Sequence, residues 1–212
     1  MIKLYSYFRS SSSYRVRIAL NLKNLDHEIV PVNLLSEDHF SEPFTQINAA
    51  HKIPVIDHAG KTIAQSVAII EYLEAVFRET HLYPTTPYER AIARQMCEIV
   101  NSDIQPLQNL SVLKKLKKDF AIDDEQKKKW IQHWISLGFE SYEALAKQTA
   151  GAYSIGDTPS VADCFLIPQV YNAVRFEVEM SLFPTIERIN KTALEHPAFI
   201  KAHPANQPDT PK

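Results

Sequence analysis

Four consecutive hydroxyls, Ser10-Ser11-Ser12-Ser13, stand between a short apolar stretch, Ile2 to Tyr7, and an amphipathic run carrying two arginines, Arg15 and Arg17. A helix opening at such a run leaves its first backbone N–H groups unpaired and has the positive end of its dipole there. Hydroxyls, amides and dipole then converge on one point, which suits an anion or a thiolate. A plainer role, a serine-rich turn with an N-cap, uses the same residues. With a helix start near Ser12 or Ser13, Ser11 and Arg15 lie four apart and share a face, so Arg15 is the better anion ligand. Arg17 points elsewhere, to the surface or towards another domain, and Arg9 overlooks the turn from its other side. A hydroxyl needs a neighbouring base to act as a nucleophile, and no His or Asp is marked out as that base. The turn holds no Cys-x-x-Cys, which excludes disulfide exchange by thiols of its own. Ser10 or Ser11 is therefore expected to donate to a thiolate supplied by another molecule. A free thiol of pKa about 8.5 is only a few per cent ionised at pH 7. A hydroxyl donor and a helix end that lower this value by about one or two units, roughly 1.4 kcal/mol each, make most of it nucleophilic.

Two other places could take part. Gln65-Ser66 opens a helix directly after a strand; Ser66 reads as its N-cap, with a backbone N–H able to bind a carboxylate. Ile53-Pro54 precedes a strand, where a cis peptide would turn the backbone of Ile53 towards a bound peptide; a trans proline at a strand start is the alternative. Asp163, three residues after Ser160, completes a capping box and is read as structural.

The elements that must position these residues alternate over the first eighty residues. Strands are expected at Ile2 to Tyr7, His27 to Val32, Pro54 to Asp57 and Thr62 to Ala64, the last two joined at Ala59-Gly60. Helices are expected at Ser13 to Lys23, His39 to Ile47 and Ser66 to Phe77. The order β-α-β-α-β-β-α predicts a thioredoxin-like α/β domain over residues 1–80. Arg78 to Pro87 reads as a linker, and residues 88–212 as an all-helical domain. Its helices are expected at Tyr88 to about Lys118, Asp124 to about Ala150, Val161 to Arg175, Thr185 to Leu194 and Pro197 to Ala202, with a loose tail from His203. With 45% hydrophobic and 23% charged residues, the 212-residue chain has a core to bury. A net charge of −2 gives no footprint for nucleic acid or membrane. The lysine groups at 114–118 and 127–129 read as solvated helix faces. Cys97 and Cys164 have no metal or disulfide spacing and the eight histidines are scattered. No metal is expected, and residence in the cytoplasm is the default.

The serine turn with Tyr14-Arg15-Val16-Arg17-Ile18-Ala19-Leu20, together with Ile53-Pro54 and Gln65-Ser66, resembles the glutathione transferase superfamily, and most closely its zeta class. Ala68-Ile69-Ile70-Glu71-Tyr72-Leu73, Ile104 to Leu110, Pro168-Gln169-Val170 and Gln207-Pro208-Asp209-Thr210 extend the likeness over the whole chain. The resemblance implies a thioredoxin-like domain followed by a helical one, a cytoplasmic homodimer, glutathione as cofactor, and an enzyme. The class isomerises maleylacetoacetate or maleylpyruvate, and Gln105 and Gln108-Asn109 favour the former. The implied reaction adds the glutathione thiolate to an activated double bond, allows rotation, and eliminates the trans product. Carried over by residue, Ser10, Ser11 and Ser12 lie at the glutathione sulfur, Ile53 pairs its backbone with the tripeptide, and Gln65 and Ser66 hold its γ-glutamyl end. His39, Lys52, Gln108 and Asn109 stand at further contact positions. Ser10, Ser11 and Arg15 are the expected catalytic residues. A small keto-dicarboxylate would meet Arg9, Arg15 and Arg175, whose charge suits a developing enolate. Ser12 departs from the class, which has Cys there; this bears on reactivity towards electrophiles such as haloacids. Transfer to α-haloacids and a non-catalytic adaptor are the alternative functions.

Overall fold

Alternation along β1 (Ile2–Ser6) sets the two faces of the sheet. Ile2 and Leu4 bury one face with Ile56, against Val16 and Leu20 of α1 (Ser11–Leu22) and Ile69 and Leu73 of α3 (Ser66–Val76). Tyr5 turns the other way, to a second cluster of Val32, Val55 and Phe44, the last from α2 (Glu42–Ile47). In this computed structural model, which describes residues 1–211, the sheet order is β2-β1-β3-β4. β2 (His27–Pro31) runs parallel to β1, with Leu4 opposite Ile29. β3 (Val55–His58) is antiparallel to β1, with Leu4 opposite Ile56, and β4 (Lys61–Ala64) is antiparallel to β3. Ala59 and Gly60 join these two strands, both at positive φ (54° and 76°), as a tight hairpin turn with the sheet's twist demands. This is the thioredoxin-like arrangement expected from the element order.

The chain divides into two compact units. One comprises residues 1–82 with the segment from Leu194 onward, the other Tyr83–Ala193. From the sequence, the last segment is expected to belong to the helical domain. Instead, α9 (Pro197–Ala202) packs on α1, where Asn21 Nδ2 donates to Ala198 O at 3.0 Å. The tail is not loose: Gln207 Nε2 donates to Lys201 O and His203 O, both at 2.9 Å, and Thr210 Oγ1 donates to Pro204 O. Side-chain amides and hydroxyls that read as loop composition here close the turns themselves.

The chain segment ending the first run of this unit is pinned by a buried ion pair. Lys23 Nζ donates to Glu74 Oε2 at 2.8 Å and also to Thr80 O, while Leu82 N–H and His81 Nδ1 reach the same carboxylate. Burial pushes the Glu74 carboxyl up, but the bonds from Lys23, Leu82 and His81 outweigh it and hold the group below its ordinary value. A depressed carboxylate stabilises the fold above its unfolded pKa, and that contribution is lost as pH falls through the folded value. Glu74→Gln is therefore expected to destabilise the protein at neutral pH, with the gap to wild type closing as pH falls below about 4. Denaturant unfolding at a series of acidic pH values measures this; a gap independent of pH would contradict it.

In the second unit the long helix expected from Tyr88 to Lys118 is broken. α4 (Pro87–Glu98) passes into a π-helical stretch at Ile99–Ile104 and a 3-10 turn at Gln105–Gln108 before α5 (Leu110–Phe120) begins. Pro106 has no N–H to continue the ladder. Asn109 caps the next helix, accepting from Ser111 N–H at 3.1 Å. Gly138 of α6 (Asp124–Thr149) admits Ile104 so closely that a Cβ there would lie 2.2 Å from its side chain. α7 (Val161–Arg175) opens on the expected capping box: Asp163 accepts from Ser160 N–H at 2.8 Å, Ser160 Oγ at 3.0 Å and Ser154 N–H at 2.9 Å. Burial raises the Asp163 carboxyl against the pull of these bonds. α8 (Pro184–Glu195) starts on Glu143, which accepts from Thr185 and Ile186 N–H at 3.0 Å each. Several lysines of the two clusters are engaged in exposed ion pairs, such as Lys115 with Asp119 and Lys129 with Glu125. No helix among the described residues is long and apolar enough to cross a membrane.

Candidate functional site

Past β1 the backbone folds back, with Ser10 N–H donating to Tyr7 O at 3.0 Å. Ser10 is the N-cap of α1 in extended geometry, and its Oγ accepts from Ser13 N–H at 3.2 Å. Ser11 and Ser12 fill the first helical positions, half-buried. The helix thus starts earlier than Ser12 or Ser13. An accepting Ser10 hydroxyl keeps its own proton for another partner, so capping and donation are compatible at one residue.

Of the two places expected for Arg17 the surface is ruled out, while its partner Ala202 lies among the residues expected to form the helical domain. Arg17 is 1% exposed and holds the turn from within. Its guanidinium donates to Phe8 O and Ala202 O at 2.9 Å each, to Ser6 Oγ at 3.1 Å and to Tyr7 O at 3.4 Å. A strand-to-helix turn leaves such carbonyls without ladder partners, and a planar fork of five N–H donors can serve several at once.

Arg15 is also 1% exposed. Its Nη1 donates to Ser66 Oγ at 3.1 Å, which places it behind the first turn of α3 and not on an open face. The partner seen for Arg15 in this position is the Ser66 hydroxyl. Arg15 sets the orientation of Ser66: an oxygen accepting from the guanidinium sends the hydroxyl proton elsewhere. Ser66 is the first residue of α3, and Gln65, not Ser66, is the N-cap. Gln65 is exposed, makes no side-chain cap bond and adopts φ 72°, ψ 120°, a conformation that residues other than glycine rarely take and that clusters at ligand sites. The first amides of α3 are left without a side-chain cap, beside a buried guanidinium. That combination favours a carboxylate.

The Ile53-Pro54 peptide is cis. Ile53 packs beside Val55 and Phe44. His39 is buried with its ring centroid 4.1 Å from that of Phe40, and its carbonyl lies 3.1 Å from His51 Nδ1. Lys52 is exposed, and its carbonyl accepts from Asn48 Nδ2 at 2.7 Å. Arg9 donates to Tyr7 OH at 3.2 Å and lies over the Tyr7 and Phe8 rings. Ser10, Ser11, Ser12, Arg9, Arg15, His39, Lys52, Ile53, Gln65 and Ser66 all belong to the first unit. Gln108, Asn109 and Arg175 belong to the second. There Gln108 is buried and donates to Gln169 Oε1 at 2.7 Å, Asn109 caps α5, and Arg175 is exposed with its guanidinium 4.6 Å from the Phe176 ring centroid. Among the described residues no group of three or more His, Cys, Asp or Glu is placed to hold a metal. One contact of the turn is not legible in the sequence: Phe8 N–H donates to Asp209 Oδ2 at 2.8 Å. Its signal was the Gln207-to-Thr210 motif, which carries no local chemistry of its own.

Residues 1–75 match the model of the glutathione S-transferase N-terminal domain. The chain is 49% identical over 210 residues to maleylacetoacetate isomerase of Rattus norvegicus, covering 98% of this chain and 94% of that protein. A holo structure of maleylpyruvate isomerase, described as a bacterial glutathione S-transferase of zeta class, superposes with a TM-score of 0.96 at 40% identity, covering 99% of this chain and 100% of that one. Maleylacetoacetate isomerase of Anaeromyxobacter dehalogenans, solved with dicarboxyethyl glutathione and citrate in its active site, superposes with a TM-score of 0.89 at 38% identity, covering 100% of this chain and 98% of that one.

Proposed function

This chain belongs to the glutathione transferase family, and from that premise we propose that it is a glutathione-dependent cis–trans isomerase whose substrate is maleylacetoacetate. The observation that carries the reading is the junction of β1 and α1, where half-buried serines stand at the N-terminus of a helix. The residues fit glutathione. A hydroxyl at a helix N-terminus suits a thiolate, the cis peptide after Ile53 suits an extended tripeptide, and Gln65 with Ser66, backed by Arg15, suits the γ-glutamyl carboxylate. When bound, glutathione supplies a thiol able to add reversibly to a carbon of the activated double bond. The dicarboxyethyl glutathione held by the Anaeromyxobacter relative is chemically an adduct of that kind.

The chain's own part is orientation and electrostatics. Ser10 or Ser11 holds the sulfur as its anion. Arg15 fixes the Ser66 hydroxyl for the far end of the tripeptide. Cationic side chains, with Arg9 and Arg175 each a candidate, are proposed to meet the carboxylates and the enolate of the substrate. Greater identity to the rat maleylacetoacetate isomerase than to the maleylpyruvate isomerase favours the first substrate. With it comes a place in tyrosine and phenylalanine breakdown, as a cytoplasmic homodimer.

The test is the loss of maleylacetoacetate absorbance with and without glutathione, with maleylpyruvate in parallel. Turnover of maleylacetoacetate that requires glutathione is the expected result. Preference for maleylpyruvate would retain the mechanism and change the pathway. No turnover of either by a protein that binds glutathione would overturn the isomerase reading and direct the search to α-haloacids.

A further inference from the structure

Resting on the glutathione reading above, we infer that Asp209 is a positioning residue for the thiolate: its carboxylate fixes the turn that presents Ser10 and Ser11. The turn has few anchors of its own. Ser6 is the last residue of β1, and the helix ladder begins at Ser10, whose C=O accepts from Tyr14 N–H at 2.9 Å, so residues 7–9 lie outside both ladders. Phe8, at its centre, is held at both backbone polar groups by side chains. Its N–H donates to Asp209 Oδ2 at 2.8 Å, and its C=O accepts from Arg17 Nη2 at 2.9 Å. Arg17 is itself tied to Ala202 O at the end of α9. Both supports therefore depend on the last part of the chain, 201 residues from Phe8 in the case of Asp209.

The segment bearing Asp209 is stiffened in turn. Gln207 bonds back to Lys201 and His203, and Thr210 to Pro204. The Asp209 carboxylate places one oxygen on Phe8; Oδ1 is buried with no hydrogen-bond partner among the described residues. Burying an unpartnered carboxylate oxygen is costly, and a chain that needed only a stable tail could omit it. Its cost is explained by what Oδ2 holds. The amide of Phe8 lies two residues before Ser10, and rotation of that peptide would carry the serine hydroxyls away from their position. A small displacement at such a donor is enough to weaken thiolate stabilisation.

The experiment compares Asp209→Ala and Asp209→Asn with wild type. The readouts are the pKa of enzyme-bound glutathione, titrated by thiolate ultraviolet absorbance, with kcat, KM for glutathione and thermal melting alongside. Asp209→Ala is expected to raise the bound-thiol pKa by about one unit and lower kcat about tenfold below that pKa, with a smaller change in KM. Asp209→Asn keeps an oxygen acceptor for Phe8 N–H and is expected to stay within about twofold of wild type in kcat. An Asp209→Ala protein that melts lower but keeps the wild-type thiol pKa and kcat overturns the inference, since that is a structural role alone. Equal losses in both variants overturn it too, because charge would then matter and not the hydrogen bond. If the alanine variant does not fold, Asp209→Glu, which moves the acceptor by one methylene, is read the same way, and an unshifted thiol pKa overturns the inference. Wild-type protein that binds no glutathione would instead refute the reading on which the inference rests.

Discussion

Replacing the first two hydroxyls of the turn, Ser10→Ala with Ser11→Ala, lowers kcat/KM at pH 7 by about 10- to 100-fold, and the loss shrinks as pH rises. The sign follows from ionisation. With the donor, the bound thiol has a pKa below its free value of about 8.5; without it, the value moves back up. Between the two values the variant holds much less thiolate, whereas above about pH 9 both proteins hold nearly all of it. A pH–rate profile of kcat/KM measures the convergence. The single variants then identify the donor, and melting curves separate a second effect. Ser10 caps α1 through Ser13 N–H, so Ser10→Ala also costs about 1 kcal/mol of stability that Ser11→Ala does not. A loss that stays constant across the pH range would remove thiolate stabilisation from the roles of these serines.

Arg17→Ala is expected to destabilise the protein by about 3–5 kcal/mol, enough to leave it largely unfolded or insoluble at growth temperature. The guanidinium is almost wholly buried, and its donors satisfy the carbonyls of Tyr7, Phe8 and Ala202 and the hydroxyl of Ser6. Truncation removes both the packing of the long side chain and several hydrogen bonds, leaving buried carbonyls unpaired. Arg17→Lys keeps the charge but offers three donors from one point in place of a planar fork, and is expected to recover only part of the stability. Denaturant unfolding of the three proteins measures the order wild type, then lysine, then alanine. An exposed arginine would cost a few tenths of a kcal/mol at most, so a near-neutral Arg17→Ala would contradict the buried arrangement.

Local signals carried much of this molecule. The apolar stretch from Ile2 to Tyr7 marks a strand, and Ala59-Gly60 marks the hairpin between β3 and β4. Ser160 and Asp163, three apart, marked the start of α7. Each depends on residues within a few positions of one another, and such short-range chemistry is written in the order of side chains. What was not legible depends on distant parts of the chain. Arg17 on a helix reads as a cation for the surface or for another domain, and nothing near it in sequence shows that Phe8 O and Ala202 O converge on it. Arg15 reads as a ligand, and nothing near it in sequence shows that α3 brings Ser66 to it. The tail reads as loose because prolines and polar residues compose both loops and closed turns. The break after α4 was missed for a related reason: Pro106 and Asn109 were visible, but the approach of Gly138 to Ile104 that fits the irregular backbone was not. At Gln65 the residue type gives no warning of φ 72°, since glutamine ordinarily avoids that region.

The division of the first unit between the two ends of the chain also governs how the molecule is made. Its sheet and α1 are translated before the helical unit, whereas α9 and the segment holding Phe8 come after it, with Arg17 and Ala202 separated by 185 residues. The nascent first unit must wait through synthesis of the whole helical unit with the Arg17 cation and the α1 surface exposed. Long-range closure of this kind slows folding and prolongs exposure to aggregation and chaperones. The serine turn is therefore translated before the helical unit but reaches its final shape only after it, once Ala202 and Asp209 have been made.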